Sequence, residues 1–379
     1  MYHVKTMNKI SKIGLAELDD RFAISDTMEH EDAILVRSAK LHDYDFPAEL
    51  KCIARAGAGV NNIPLDRAAD AGIVVFNAPG ANANGVKELT IAALLLASRK
   101  ISQGITWVKE QSAAGADVAA VVEKGKSAYV GPEILGKTLG VVGLGAIGVL
   151  VANAAAALGM KIVGYDPFLS VTHALNLTPG VEIVDTLPEL YAKADYITLH
   201  LPMNDATRGT INEAAFAAMK DGVRIVNLAR GELVDTPAMK AALASGKCAA
   251  YVTDFPNSET AAIEGVVAIP HLGASTPESE DNCAMMAARE VKDYLDNGSI
   301  VNSVNLPNLT MAWAAKNRVC VLTKGADAAA IAGAVPAVVA SASNTRGEYA
   351  YTILDTDAAV DEAAIAAIPG VLRVRVLTR

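Results

Sequence analysis

Short apolar runs rich in Val, Ile and Leu alternate along the chain with longer stretches whose apolar residues recur every three or four positions, the pattern of strands between amphipathic helices. From residue 138 onward this predicts strands at 138–142, 161–165, 181–184, 196–201, 223–228, 249–253 and 266–269, with helices at 149–158, 187–193, 212–219 and 237–244. Strands separated by helices build a doubly wound parallel sheet, and such sheets bind ligands at the carboxyl ends of their strands. The first part of the chain repeats the pattern with strands near 33–36, 51–54 and 73–76, so a second α/β lobe is expected there. Helices at 86–111 and 277–296 would carry the chain between the two parts, which implies a cleft with a hinge beneath it. The last segment, 316–379, reads β-α-β-β-α-β and predicts a small ferredoxin-like domain after a linker at 302–315. The expected division is 1–97 with 275–301 for the first lobe, 98–274 for the larger sheet and 316–379 for the appendage.

The sharpest chemical signal lies where the strand at 138–142 meets its helix. Gly143-Leu144-Gly145-Ala146-Ile147-Gly148 has the glycine spacing of a Rossmann-like dinucleotide turn. Gly143 permits the tight turn, Gly145 lets backbone approach a pyrophosphate, and Gly148 allows the helix to pack closely on the strand. The N–H groups of the helix start, at Ala146 and Ile147, favour negative charge. Asp166, at the end of the next strand, is placed to accept hydrogen bonds from an adenosine ribose and to repel a 2′-phosphate, which selects NAD over NADP.

Composition narrows the class. The chain has 379 residues, 52% hydrophobic and 5% aromatic, enough for two or three domains with aliphatic cores. A net charge of −9 argues against nucleic acid or an anionic membrane as the main partner. The most lipid-like run, 89–98, lies between Glu88 and Arg99 and is far shorter than the roughly 20 apolar residues of a membrane span. No secretory pattern opens the chain, and Cys52, Cys248, Cys283 and Cys320 lack metal-site or C-x-x-C spacing, so a cytoplasmic protein with reduced thiols and no metal is expected.

Other polar groups fall at strand ends: His200-Leu201-Pro202, Ala229-Arg230, Asp254 and Pro270-His271. His200 is expected to hold a turn near the cofactor, whereas His3, His30, His42 and His173 show no partner pattern. In the first lobe the strands end at Arg37, at Arg55-Ala56-Gly57-Ala58-Gly59-Val60-Asn61-Asn62 and at the small-residue segment 77–84, whose backbone N–H groups suit an anion. The bland alternative is that Arg37 and Arg55 pair with acids such as Asp43 or Asp66.

The glycine turn, the run Asn227-Leu228-Ala229-Arg230-Gly231-Glu232-Leu233-Val234-Asp235, and Pro270-His271-Leu272-Gly273-Ala274-Ser275-Thr276 together resemble the D-isomer-specific 2-hydroxyacid dehydrogenases. Val36-Arg37-Ser38, the 55–62 loop and Pro369-Gly370-Val371-Leu372-Arg373-Val374 are most similar to the members that act on 3-phospho-D-glycerate. The resemblance implies a flavodoxin-like substrate lobe, a Rossmann-like NAD domain and an ACT-like tail. It implies NAD-dependent oxidation of 3-phospho-D-glycerate to 3-phosphohydroxypyruvate, the entry to serine biosynthesis, by a homodimer or homotetramer. Arg230 would bind the substrate carboxylate and carbonyl oxygen, His271 would exchange the hydroxyl proton, and Glu259 would orient the imidazole and favour its charged form. Asp254 would contact the nicotinamide carboxamide, with Pro202, Ala229, Gly273 and Ala274 also near the cofactor. Ala58, Gly59 and Val60 would bind the carboxylate through backbone, and Arg37 and Arg55 would approach the phosphate.

The chain departs from the family at three places. Asn61 stands where aspartate is common, the loop between Glu259 and His271 is short enough to make Glu264 a fallback partner, and the turn at 322–327 lacks the Asn-x-Pro-Gly form that accompanies serine binding. Two other readings remain open: a dehydrogenase for a different D-2-hydroxyacid, and a dinucleotide-sensing protein without catalysis. The retained Arg230, Glu259 and His271 speak against the sensor.

Overall fold

In a computed structural model that describes all 379 residues, the chain divides into two compact units, Met1–Asn82 with Pro277–Arg379, and Ala83–Thr276. The first unit opens with five parallel strands, β1 (Tyr2–Met7), β2 (Phe22–Ser25), β3 (Ala33–Val36), β4 (Cys52–Arg55) and β5 (Val74–Asn77). Their order, β2-β1-β3-β4-β5, is that of a flavodoxin-like sheet. The apolar pattern reveals only β3, β4 and β5, because these are buried on both faces, whereas β1 and β2 lie at the side of the sheet and mix in His3, Lys5, Thr6 and Ser25. Register aligns Val36 with Arg55 and Arg55 with Asn77, so the three strand-end segments start side by side.

The second unit holds seven parallel strands: β6 (Thr138–Val142), β7 (Lys161–Tyr165), β8 (Glu182–Ile183), β9 (Tyr196–Leu199), β10 (Val223–Asn227), β11 (Cys248–Thr253) and β12 (Val266–Ala268). The order β12-β11-β10-β9-β6-β7-β8 is Rossmann-like, with the winding reversing between β6 and β9. The helix expected over 86–111 is two, Ala83–Ser98 and Ile101–Ala113, and a further helix, Val118–Gly125, follows. The break lies where distant parts of the chain meet the helix: the Ser98 hydroxyl bonds back to the Leu94 carbonyl and to Tyr196 Oη, while Gly131 passes so close that a Cβ there would lie 2.0 Å from the Ser98 carbonyl oxygen. Ala93, Leu94 and Ala97 share a core with Val151, Ala155 and Val252, so Ala83–Ser98 belongs to this unit and the boundary falls at 82/83 rather than 97/98.

The tail contains β13 (Asn317–Lys324), β14 (Val338–Arg346), β15 (Tyr349–Thr356) and β16 (Val371–Thr378), with helices Ala328–Ala334 and Glu362–Ala366. Its antiparallel order, β14-β15-β13-β16, is the ferredoxin-like split β-α-β arrangement. It does not stand apart as a third body. Cys320, Leu322, Tyr351 and Ile353 share the core of β1–β5 with Tyr294 and Leu295 of the helix Pro277–Asn297. Buried arginines reinforce that junction by donating to carbonyls at the helix end, Arg375 to Tyr294 and Leu295 at 2.9 and 2.7 Å and Arg318 to Asn297 at 3.0 Å. No helix in the structure is long and apolar enough to cross a membrane.

Candidate active site

The glycine turn is shaped by three different constraints. Gly143 has φ 92°, a left-handed conformation, and a Cβ there would meet the His200 carbonyl oxygen at 2.6 Å. A Cβ at Gly148 would lie 1.9 Å from the Gly143 carbonyl oxygen, so the helix touches the turn directly. Gly145 differs: its φ of −75° suits any residue and no atom lies within 4 Å of a Cβ built on it. That leaves an open notch at the start of the helix Ala146–Ala157, where no side chain caps the free N–H groups. Asp166 steadies the turn, its Oδ2 accepting from Leu144 N and its Oδ1 from Phe168 N, both at 2.8 Å. A carboxylate has about four acceptor positions, so it retains capacity for a ribose diol.

Sheet register assembles the remaining candidates. Val142, Leu199, Asn227, Thr253 and Ala268 pair across β6, β9, β10, β11 and β12 in one row. The segments that leave this row carry Gly143, His200 with Pro202, Ala229 with Arg230, Asp254, and His271 with Gly273 and Ala274. His200 Nε2 lies 3.1 Å from Thr198 Oγ1, and burial pushes its pKa down to about 4, so the ring is neutral. Fully buried Asn227 donates to the Arg230 carbonyl at 2.8 Å and accepts from Ala229 N at 3.1 Å, which fixes the turn bearing the arginine.

Around that turn three side chains form a continuous contact. The Arg230 guanidinium lies 5.3 Å from the centre of the Phe255 ring, whose other neighbour is the His271 imidazole at 4.4 Å. Asp254 is buried beneath, accepting from Gly273 N at 3.3 Å through Oδ2, while its Oδ1 has no partner. Burial raises the Asp254 carboxyl above its usual range, against the pull of His271, the Gly273 N–H and Arg230. An unpaired, buried acceptor on the same sheet edge as the glycine notch fits an amide donor of a bound dinucleotide.

Glu259 stands elsewhere. It is exposed at the start of the short turn Thr260–Ala262, where Asn257 Oδ1 accepts from its N–H at 3.0 Å. Neither Glu259 nor the exposed Glu264 forms an ion pair with His271 in this conformation; the carboxylate that acts on His271 electrostatically is Asp254.

In the first unit, Arg37 pairs with Glu280 of the helix Pro277–Asn297 at 2.6 Å, not with Asp43 or Asp66. Arg55 Nε donates to the Arg37 carbonyl at 3.0 Å, and its guanidinium covers Gly57, where a Cβ would lie 2.5 Å from Nη1. Arg55 also lines a pocket of about 570 Å³ with Ser38, Lys40, His42, Asp43, Asn61 and Asn62. Asn62 Oδ1 is buried there without a partner. Ala58 accepts from Asn77 Nδ2 at 2.6 Å, and the N–H groups of Gly59 and Val60 have no acceptor in the chain.

Sequence reasoning missed Phe255, the positioning part played by Asn227, and the convergence of Lys40 and His42 on the Arg55 pocket. Only Asn227 left a trace, as a polar residue closing an apolar strand.

Residues 91–273 match the family described as D-isomer specific 2-hydroxyacid dehydrogenase, NAD binding domain. The chain is 36% identical over 315 residues to the D-3-phosphoglycerate dehydrogenase of Methanocaldococcus jannaschii, covering 81% of this chain and 58% of that protein. The chain thus spans little more than half the length of the curated relatives it matches. Among solved structures, the apo D-mandelate dehydrogenase of Rhodotorula graminis superposes with a TM-score of 0.67 at 25% identity, over 82% of this chain and 99% of the other. The NAD+-bound 3-phosphoglycerate dehydrogenase of Entamoeba histolytica does so with a TM-score of 0.61 at 26% identity, over 81% and 99%. Residues 91–273 thus carry the NAD-binding domain of the D-isomer specific 2-hydroxyacid dehydrogenases.

Proposed function

We propose that the protein is a dehydrogenase that oxidises 3-phospho-D-glycerate to 3-phosphohydroxypyruvate with NAD. The observation that supports this reading is the row of strand ends from which the glycine turn and the segments bearing Arg230, Asp254 and His271 all leave the same edge of the sheet. When bound, NAD accepts the hydride that leaves C2 of the substrate. The planar fork of Arg230 binds the carboxylate and the developing carbonyl oxygen. His271 takes the hydroxyl proton, and a carboxylate stabilises the resulting imidazolium. Glu259 has that role by family resemblance, although it is exposed and forms no ion pair with His271 here; Asp254 keeps Oδ1 for the carboxamide. Ala58, Gly59 and Val60 bind the substrate carboxylate through backbone N–H groups. Arg37 and Arg55 meet the phosphate, and Lys40 and His42 on the Arg55 pocket support a phosphorylated acid over an unphosphorylated one.

The reading includes a second copy of the chain. Ile101, Ile105 and Val108 are exposed on one helix beside Trp107, Val122 and Tyr129, an apolar surface that a homodimer would cover. Four buried, free cysteines accord with a reducing, cytoplasmic setting. The test is a panel of D-2-hydroxyacids with NAD, in which 3-phosphoglycerate gives the highest kcat/KM; a higher value for an unphosphorylated acid overturns the substrate. His271→Ala lowers kcat by about 10²-fold or more and still binds NADH, and near-full turnover would remove His271 from the mechanism.

A further inference from the structure

The helix Pro277–Asn297 carries an acid that the chemistry above does not use. Glu290 is buried, only 8% exposed, and one of its oxygens, Oε2, has no hydrogen-bond partner. The other, Oε1, accepts from Asn302 Nδ2 at 2.8 Å. Asn302 holds a left-handed backbone with φ 59°, a conformation that needs support at a non-glycine residue. It begins a segment that lies along the free edge of β5: Ser303 bridges Phe76, Val304 N donates to the Val75 carbonyl, and the Asn305 side chain bonds to both Val75 N and the Ile73 carbonyl.

This segment leads to the substrate loop. The Asn302 carbonyl accepts from Asn77 N at 3.4 Å, Asn77 Nδ2 donates to the Ala58 carbonyl at 2.6 Å, and Ala78 N donates to the Gly57 carbonyl at 3.0 Å. A peptide plane whose carbonyl is held has its following N–H direction held as well. We propose that Glu290 is a positioning residue for substrate binding, acting through Asn302 and Asn77 to fix the Ala58 carbonyl and with it the Gly59 N–H that shares its peptide plane. The inference rests on the reading of Ala58, Gly59 and Val60 as the carboxylate-binding loop.

The electrostatic setting agrees. Burial pushes the Glu290 carboxyl up to about 8, opposed only by the Asn302 hydrogen bond, so the neutral acid is held near pH 7. The helix packs on β3, β4, β5 and the helix Lys12–Leu15, and no charged group on them acts on Glu290. Cys52 on β4 is subject instead to Arg375, Lys51, Asp32 and Arg373, and Cys283 to Arg55, Arg37 and Glu280.

The test compares Glu290→Gln, Glu290→Ala and Asn302→Gly in the full chain. Glutamine keeps the acceptor at Oε1, and glycine keeps the left-handed backbone while removing the donor. Glu290→Ala and Asn302→Gly raise KM for the 2-hydroxyacid by about 3- to 10-fold, the loss of one hydrogen bond, with kcat changed less than twofold; Glu290→Gln restores KM. Hydrogen exchange of the 55–62 segment rises in the first two variants and not in the third, without NAD or substrate present. Unchanged exchange in that segment together with unchanged KM overturns the proposal, as does an equal rise over the whole first unit. A wild-type protein inactive on every 2-hydroxyacid, but with the expected exchange pattern, overturns the reading of the reaction and leaves the mechanical link intact.

Discussion

Gly145 and Gly148 are three residues apart in the same turn, yet alanine at each has a different consequence. At Gly145 the backbone, φ −75° and ψ −161°, accepts an L-residue, and an added Cβ has no neighbour within 4 Å. Gly145→Ala therefore leaves the fold intact and stabilises it by about 0.4–1 kcal/mol through the unfolded chain. The methyl group instead occupies the notch through which a pyrophosphate approaches the helix start. Losing one charge-assisted hydrogen bond there, about 1.5–3 kcal/mol, weakens NAD binding roughly 10- to 150-fold. Gly148→Ala places its Cβ 1.9 Å from the Gly143 carbonyl oxygen, and Gly143 cannot retreat freely because its own position lies against the His200 carbonyl. That variant loses about 1–3 kcal/mol or more of stability, and binding with it. Urea denaturation and NADH titration by fluorescence separate the two effects. Wild-type NADH affinity in Gly145→Ala would refute the assignment of the notch to pyrophosphate, and equal destabilisation of both variants would refute the steric argument.

Three other perturbations follow from the same structure. Asp166→Ala weakens NAD and narrows its preference over NADP, measured as the ratio of the two affinities; an unchanged ratio means another group reads the ribose. The Glu290 pKa is raised on folding from 4.5 to about 8, so the wild type loses stability as pH rises through that interval, when the unfolded chain ionises first. Glu290→Gln lacks this penalty and becomes the more stable protein by a few kcal/mol at pH 8, at roughly 1.4 kcal/mol per pKa unit; parallel stability curves from pH 5 to 8 would contradict it. Arg318 and Asp355, both fully buried, pair at 2.8 and 2.9 Å through two hydrogen bonds. Asp355→Leu leaves the guanidinium unpaired and destabilises by about 3–5 kcal/mol, whereas adding Arg318→Met recovers part of the loss. Strictly additive losses in urea unfolding would show that the pair is not coupled.

Much of this protein is legible along the chain because it is encoded locally. The glycine turn needs only the backbone freedom of Gly143 and the spacing to Gly148, and the strand-helix alternation of β6–β12 and of the tail follows from apolar periodicity. Features that depend on neighbours were hidden. The strand β1 and the edge strand β2 mix polar with apolar residues, and the break after Ser98 is set by Gly131 crossing it, far along the sequence. The attachment of the tail to the first unit rests on Arg318 and Arg375 reaching the end of a helix that no local pattern names as their partner. In the candidate site, the motifs and the family resemblance single out Arg230, Asp254, Glu259 and His271 as candidates but not their contacts. Register places Phe255 between the arginine and the histidine, leaves Asp254 Oδ1 unpaired and turns Glu259 outward. Spacing along a chain records what each residue can do, while the packing of distant strands decides which charges share a buried neighbour and which remain in water.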